Sequence, residues 1–197
     1  GGGGGRGGAG GLSVTSPDSS KAVFLRDWNL WVRDVASGKE TALTTDGKPN
    51  YGYATDNAGW STSDRPVVLW SPDSKKIATF QQDQRKVSDM YLVSVVVGPP
   101  QLRAWKYPLP GDSVVTMIER VVIDVPSATV TRLKMAPDQH RSTLGDNISM
   151  NDVKWSPTGS ELAFASVSRD HKEVWVRLAN TGTGEVKTIL HEASPTQ

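Results

Sequence analysis

Cysteine is absent from the 197 residues. That excludes disulfide scaffolds and thiolate metal sites and leaves the redox compartment open. An excess of one charge is absent too: 22 basic against 21 acidic side chains give a net charge of +1, without the basic face that a nucleic-acid partner requires. No apolar run approaches the length of a membrane span, and no signal peptide is visible. Apolar residues are scarce, at 37%, below the usual globular range. Much of the deficit lies in residues 1–11, GGGGGRGGAGG. This run has no side chains to bury and maximal backbone entropy, so it is expected to be a disordered tail. Its single Arg6 is too little for an RGG-type RNA-binding segment. Histidine is rare, and none of His140, His171 and His191 is paired four residues away with another ligand type. Neither a metal site nor a cofactor is expected.

Tryptophan, by contrast, is plentiful, with seven copies. Two of them open nearly the same phrase: WSPDSKKIATF from Trp70 and WSPTGSELAF from Trp155. A weaker copy, TSPDSSKAVF, begins at Thr15. In each, Pro fixes φ and ends a strand, Asp or Thr with Ser or Gly makes a tight turn, and a period-two apolar run follows. Each phrase is therefore a β-hairpin. After the first and last copies a third strand (residues 29–35 and 173–178), a glycine-bearing turn and a fourth strand (40–44 and 185–190) can be read. Four short antiparallel strands repeated along a chain are the mark of a β-propeller blade. The expected fold is all-β, a partial propeller of about three blades of four-stranded antiparallel sheet at 12–47, 64–136 and 150–192, with a short tail at 193–197. The middle unit is swollen: its proline-rich stretch 83–116 reads as an insertion, because prolines at that density do not sit in central strands. Its third and fourth strands are expected at 117–124 and 129–135.

The order of phrases resembles the amino-terminal propeller of dipeptidyl peptidase IV-like serine peptidases, in the prolyl oligopeptidase superfamily. The matching text is FLRDWNLWVRDVASGKETALTTDG (24–47), NYGYATDNAGW (50–60), WSPDSKKIATFQQD (70–83), the loop Tyr107-Pro108-Leu109-Pro110-Gly111-Asp112, and DVKWSPTGSELAFASVSRD (152–170). The resemblance implies a non-catalytic part of a peptidase, gating and positioning peptide substrates. The partner it implies is an α/β-hydrolase domain of the same full-length chain, carrying a Ser-Asp-His triad on a G-x-S-x-G elbow. These 197 residues contain no G-x-S-x-G, so no catalytic residue is assigned. Relatives of this kind are commonly secreted, periplasmic or membrane-attached, and a homodimer is left open. The alternative is a stand-alone TolB-like or WD-repeat-like binding scaffold, which has no reason to carry the YPLPGD loop.

Family members that remove dipeptides hold the substrate ammonium with a Glu pair in a loop before a WSP hairpin. The matching stretch, 50–65, has no Glu and offers Asp56 and Asp64 as its acids. Tyr53, Asp56, Trp60, Asp64 and Arg65 are the substrate-binding candidates here, with His140 and Arg141 from the polar loop between the second and third units. For Tyr53 and Trp60 two readings stand: rigid aromatics presented to a peptide, or rings packed between blades.

Overall fold

The computed structural model describes residues 12–55, 63–94, 98–139 and 150–195, and among these no helix forms. Four antiparallel sheets do. The first takes β1 (Val14–Thr15), β2 (Lys21–Arg26), β3 (Asn29–Asp34) and β4 (Glu40–Ala42) in consecutive order. The second contains β5 (Tyr51–Tyr53), β6 (Leu69–Trp70) and β7 (Lys76–Asp83). A separate hairpin of β8 (Asp89–Ser94) and β9 (Gln101–Lys106) follows, before the chain returns to the second sheet with β10 (Met117–Asp124), β11 (Thr129–Arg132) and β12 (Asp138–Gln139). The last sheet is β13 (Val153–Trp155), β14 (Glu161–Val167), β15 (Glu173–Asn180) and β16 (Val186–Ala193), again consecutive. Three blades of a partial β-propeller result, and the hairpin is an arm on the middle one. The Gly-rich 1–11 lies outside the described residues.

The turn chemistry works as the repeated phrase requires. Ser19 and Ser74 at φ 60° and Gly159 at φ 68° occupy the same left-handed turn position in the three copies, where glycine is the unstrained choice. The two-residue β2–β3 turn places Asp27 and Trp28 at positive φ, the geometry that matches strand twist in a tight hairpin. Buried Asn29 then ties that turn to the chain leaving β4. Its amide donates to the Asp27 carbonyl at 2.8 Å, and its Oδ1 accepts from the Thr44 hydroxyl at 3.0 Å and Gly47 N–H at 2.9 Å. Gly47 passes so close to this turn that a Cβ would stand 2.2 Å from the Trp28 carbonyl oxygen.

The middle blade differs from its neighbours because both its faces are covered. Along β7 and β10, Ile77, Val121 and Ile123 pack with Val23, Leu30 and Val32 of the first blade. Ala78 and Val122 face the other way, onto Leu162, Phe164 and Ala179 of the third. Its strands are buried almost continuously, whereas β14 alternates, the contrast expected between a strand covered on both faces and one covered on one. Each fully buried Val, Ile, Leu or Phe contributes about 1.5–3 kcal/mol, so the two seams hold the molecule together.

Polar bonds set the spacing of the blades. The Trp70 indole N–H donates to the Val14 carbonyl and that of Trp155 to the Leu69 carbonyl, both at 3.2 Å. Each inner-strand tryptophan thus grips the inner strand of the blade before it. Turns are tied as well: Asp18 N–H donates to Ser74 Oγ at 3.1 Å, and Lys76 Nζ donates to the Gly159 carbonyl at 3.1 Å and to Thr181 Oγ1 at 2.9 Å.

Two strands, β5 and β12, lie between the units as the sequence bounds them. Tyr51–Tyr53 pairs with Gln81–Asp83, the far half of β7, while Leu69–Trp70 pairs with its near half. β10 is shared in the same way: β11 takes residues 121–124 and β12 takes Met117 and Ile118. Eight-residue central strands have room for two short partners on each outer edge.

Candidate functional site

Inner strands open each blade, so the residues just before them converge on the concave side of the arc. There a cavity of about 500 Å³ is lined by residues of all three blades: Val14, Arg65, Val67, Leu69, Met150 and Asn151 among them. Its walls are mostly aliphatic, and exposed Arg65 supplies a cation at its rim. Arg65 follows from a local turn, its N–H donating to Ser63 Oγ at 3.2 Å. Asp64, also exposed, is its chain neighbour.

Tyr53 is placed elsewhere. Its ring is 1% exposed in the seam between the first two blades. Its hydroxyl donates to Asp46 Oδ1 at 2.8 Å and accepts from Arg132 Nη2 at 3.0 Å. Burial, aided by the Asp46 carboxylate, pushes this phenol well above its ordinary range, so it remains a proton donor. Arg132 also donates to Gln81 Oε1 at 2.6 Å and Glu119 Oε2 at 2.8 Å. The candidates Asp56, Trp60, His140 and Arg141 lie outside the described residues.

A second polar cluster occupies the seam between the middle and third blades. Arg120 Nε donates to Asp138 Oδ2 at 2.7 Å, Ser166 Oγ donates to the same oxygen at 2.8 Å, and Arg177 Nη1 reaches Oδ1 at 3.4 Å. The Arg120 guanidinium also lies 4.7 Å from the Phe164 ring centroid. Asp152, beside β13, has both carboxylate oxygens buried without a hydrogen-bond partner. Burial pushes its pKa up, against the opposing charge of Arg120.

The structure thus brings Arg65 to the axial cavity and sets Tyr53 apart in a seam. Met150 and Asn151 of the cavity, and Arg132, Asp138 and Asp152 of the seams, were not singled out by sequence reasoning. The one local signal was position: residues 150–152 precede the Trp155 phrase, as residues 65–68 precede the Trp70 phrase. Among the described residues, no group of three His, Asp or Glu side chains is placed to hold a metal ion, and no helix is long and apolar enough to cross a membrane.

A blade array with an axial cavity defines the class as a propeller module, and comparison with known proteins defines the family. The sequence matches the family "Dipeptidyl peptidase IV (DPP IV) N-terminal region" over residues 12–196, and the chain belongs to it. "Probable dipeptidyl-aminopeptidase B" of Aspergillus fumigatus is 28% identical over 92% of this chain, which spans 21% of that protein. Among solved structures, Porphyromonas gingivalis dipeptidyl peptidase 4 superposes with a TM-score of 0.71 at 18% identity, over 93% of this chain and 26% of that one. Pyrococcus horikoshii acylaminoacyl peptidase does so at 0.50 and 15%, over 92% of this chain and 25% of that one. These structural likenesses speak to the fold. The chain spans about a fifth of the length of the curated relatives it matches.

Proposed function

We propose that this chain is the non-catalytic, substrate-gating propeller part of a dipeptidyl peptidase IV-like serine peptidase. It admits small or unfolded peptides along its inner face and positions them for an α/β-hydrolase domain of the full-length chain. Acyl transfer then belongs to that domain, since no G-x-S-x-G is present in these residues. The observation that carries this reading is the axial cavity built from the inner strands of the first two blades and the segments that lead into the second and third, in a chain of this family. Its aliphatic wall suits apolar peptide side chains, and the Arg65 guanidinium offers donors to a peptide carbonyl or carboxylate. Asp64 and, from the same segment, Asp56 are the acids that remain for a substrate ammonium where the family's Glu pair is lacking.

The test has two arms. The purified 197-residue chain should not hydrolyse an Xaa-Pro reporter, and hydrolysis would refute the division of labour. A photoreactive residue at Met150 should cross-link to a proline-containing peptide, and one at Ile189 on β16 should not. Equal labelling at both positions would refute the gating site.

A further inference from the structure

A second cavity, also of about 500 Å³, lies on the opposite side of the first seam, between the chain leaving β4 and the strand β11. One end is apolar, formed by Leu43, Ala128 and Val130; the other holds Asp46, Tyr53 and Arg132. β11 advances about 3.3 Å per residue, so the groove from Ala128 to Arg132 is about 13 Å long, enough for a short aliphatic chain with a polar head.

The charges at the polar end decide which head fits. Arg132 is held through both terminal nitrogens: Nη1 donates to Glu119, and Nη2 to Gln81, Tyr53 and, at 3.3 Å, Asp46. A guanidinium already shared between two carboxylates is poorly placed to draw in a ligand anion. It also stands between the carboxylates of Asp46 and Glu119, an arrangement hostile to a metal ion. Two carboxylates against one guanidinium leave one net negative charge. Asp46, with its side chain 58% exposed, is the group that can share this charge with a ligand. Tyr53 and Arg132 hold it by one oxygen each, which leaves further lone pairs facing the groove. Thr45, exposed beside it, adds a hydroxyl.

We infer that this outer groove is a binding site for an aliphatic primary ammonium, such as an amino-acid amide or the amino end of a peptide led by Leu or Val. The ammonium sits on Asp46 and the side chain lies along Leu43 and Val130. The site does not depend on the peptidase reading, because it lies away from the axial cavity.

Titration calorimetry of the 197-residue chain with L-leucinamide tests it. For so small a ligand the expected Kd is on the order of 1 mM. Isovaleramide, which lacks the ammonium, and free L-leucine, whose carboxylate adds a negative charge to a cluster that is already negative, should bind at least tenfold more weakly. Asp46→Asn should weaken leucinamide at least tenfold. Thr45→Lys, which places the protein's own ammonium in the groove and removes no observed contact, should do the same with an unchanged melting temperature. Glu185→Gln on the third blade should leave binding as it is. Amide-terminated Leu-Gly separates the two sources: binding as tight as leucinamide assigns the site to peptide amino ends, and weaker binding to the single amino-acid amide. Absent saturation by leucinamide, equal binding of isovaleramide, or indifference to both Asp46→Asn and Thr45→Lys would each overturn the assignment.

Discussion

Three Ser-x-Asp triplets show how single residues set the turns. Ser16 and Asp18, Ser71 and Asp73, and Ser168 and Asp170 are joined hydroxyl to carboxylate at 2.6–2.7 Å. The serine hydroxyl is the main reason that each of these aspartates sits below the usual carboxylate range. The left-handed positions beside the first two are not equivalent, however. Ser19 uses only its backbone, donating N–H to Ser16, while Ser74 Oγ accepts the Asp18 N–H across the seam. Ser19→Gly relieves a strained conformation at the cost of a more flexible unfolded chain, and should stabilise by about 0.5 kcal/mol. Ser74→Gly gains the same relief but loses a buried acceptor worth about 1 kcal/mol, and should be neutral or destabilising. Urea denaturation of the two variants checks the difference; a gain at both positions would mean the seam bond contributes nothing. This turn was legible in the sequence because its chemistry is local: Ser-Pro-Asp and Ser-Pro-Thr-Gly carry their φ preferences with them. Tyr53 was not, because whether an aromatic faces a peptide or a neighbouring blade depends on Asp46 and Arg132, the latter 79 residues away.

At the scale of elements, the strands of the outer blades could be read from alternation, and the third strand of the middle blade emerges at Met117–Asp124. β5 escaped because Tyr-Gly-Tyr is too short to show a period, and it becomes a strand only where the long β7 offers a free edge. Within the proline-rich insertion, Pro99 and Pro100 fall in the turn between β8 and β9 and Pro108 and Pro110 follow β9, so the prolines lie outside the strands and their density conceals the arm. The Arg120–Asp138 pair belongs to this scale as well, since it fastens β10 and β12 to the third blade through Ser166 and the Ala165 carbonyl. Its side chains are 6% and 9% exposed, so removing one partner strands the other charge. Asp138→Ala should cost about 3–5 kcal/mol, whereas the double change Arg120→Met with Asp138→Leu should recover part of it, Arg177 still being left without its carboxylate. Chemical denaturation of the single and double variants measures this. A double variant as unstable as the single one would show that the pair itself, rather than an orphaned charge, sustains the seam.

For the whole molecule, two opposed titrations shape stability. Asp18, Asp73 and Asp170 are depressed in the folded state. Their contribution is present above the unfolded carboxylate range near about 4 and is lost as pH falls through the folded values. Asp152 is raised by burial, so its neutral form is the one the fold prefers. Its contribution is complete below about 4 and is lost as pH rises through the folded value. Asp152→Asn, which keeps the shape and removes the charge, should therefore exceed the parent chain in stability at pH 8 and lose that advantage at pH 3. Denaturant midpoints across this range provide the check, and a constant difference at all pH values would mean that Asp152 does not titrate in the fold.

The inner-strand tryptophans have a consequence for observation. Trp70 and Trp155 each place one indole proton on a carbonyl of the preceding blade, so each boundary carries its own built-in spectroscopic label. In a proton spectrum these two indole resonances, and their rates of exchange with deuterium, monitor the two joints independently. A ligand or substitution that loosens a single joint would announce which one it had opened.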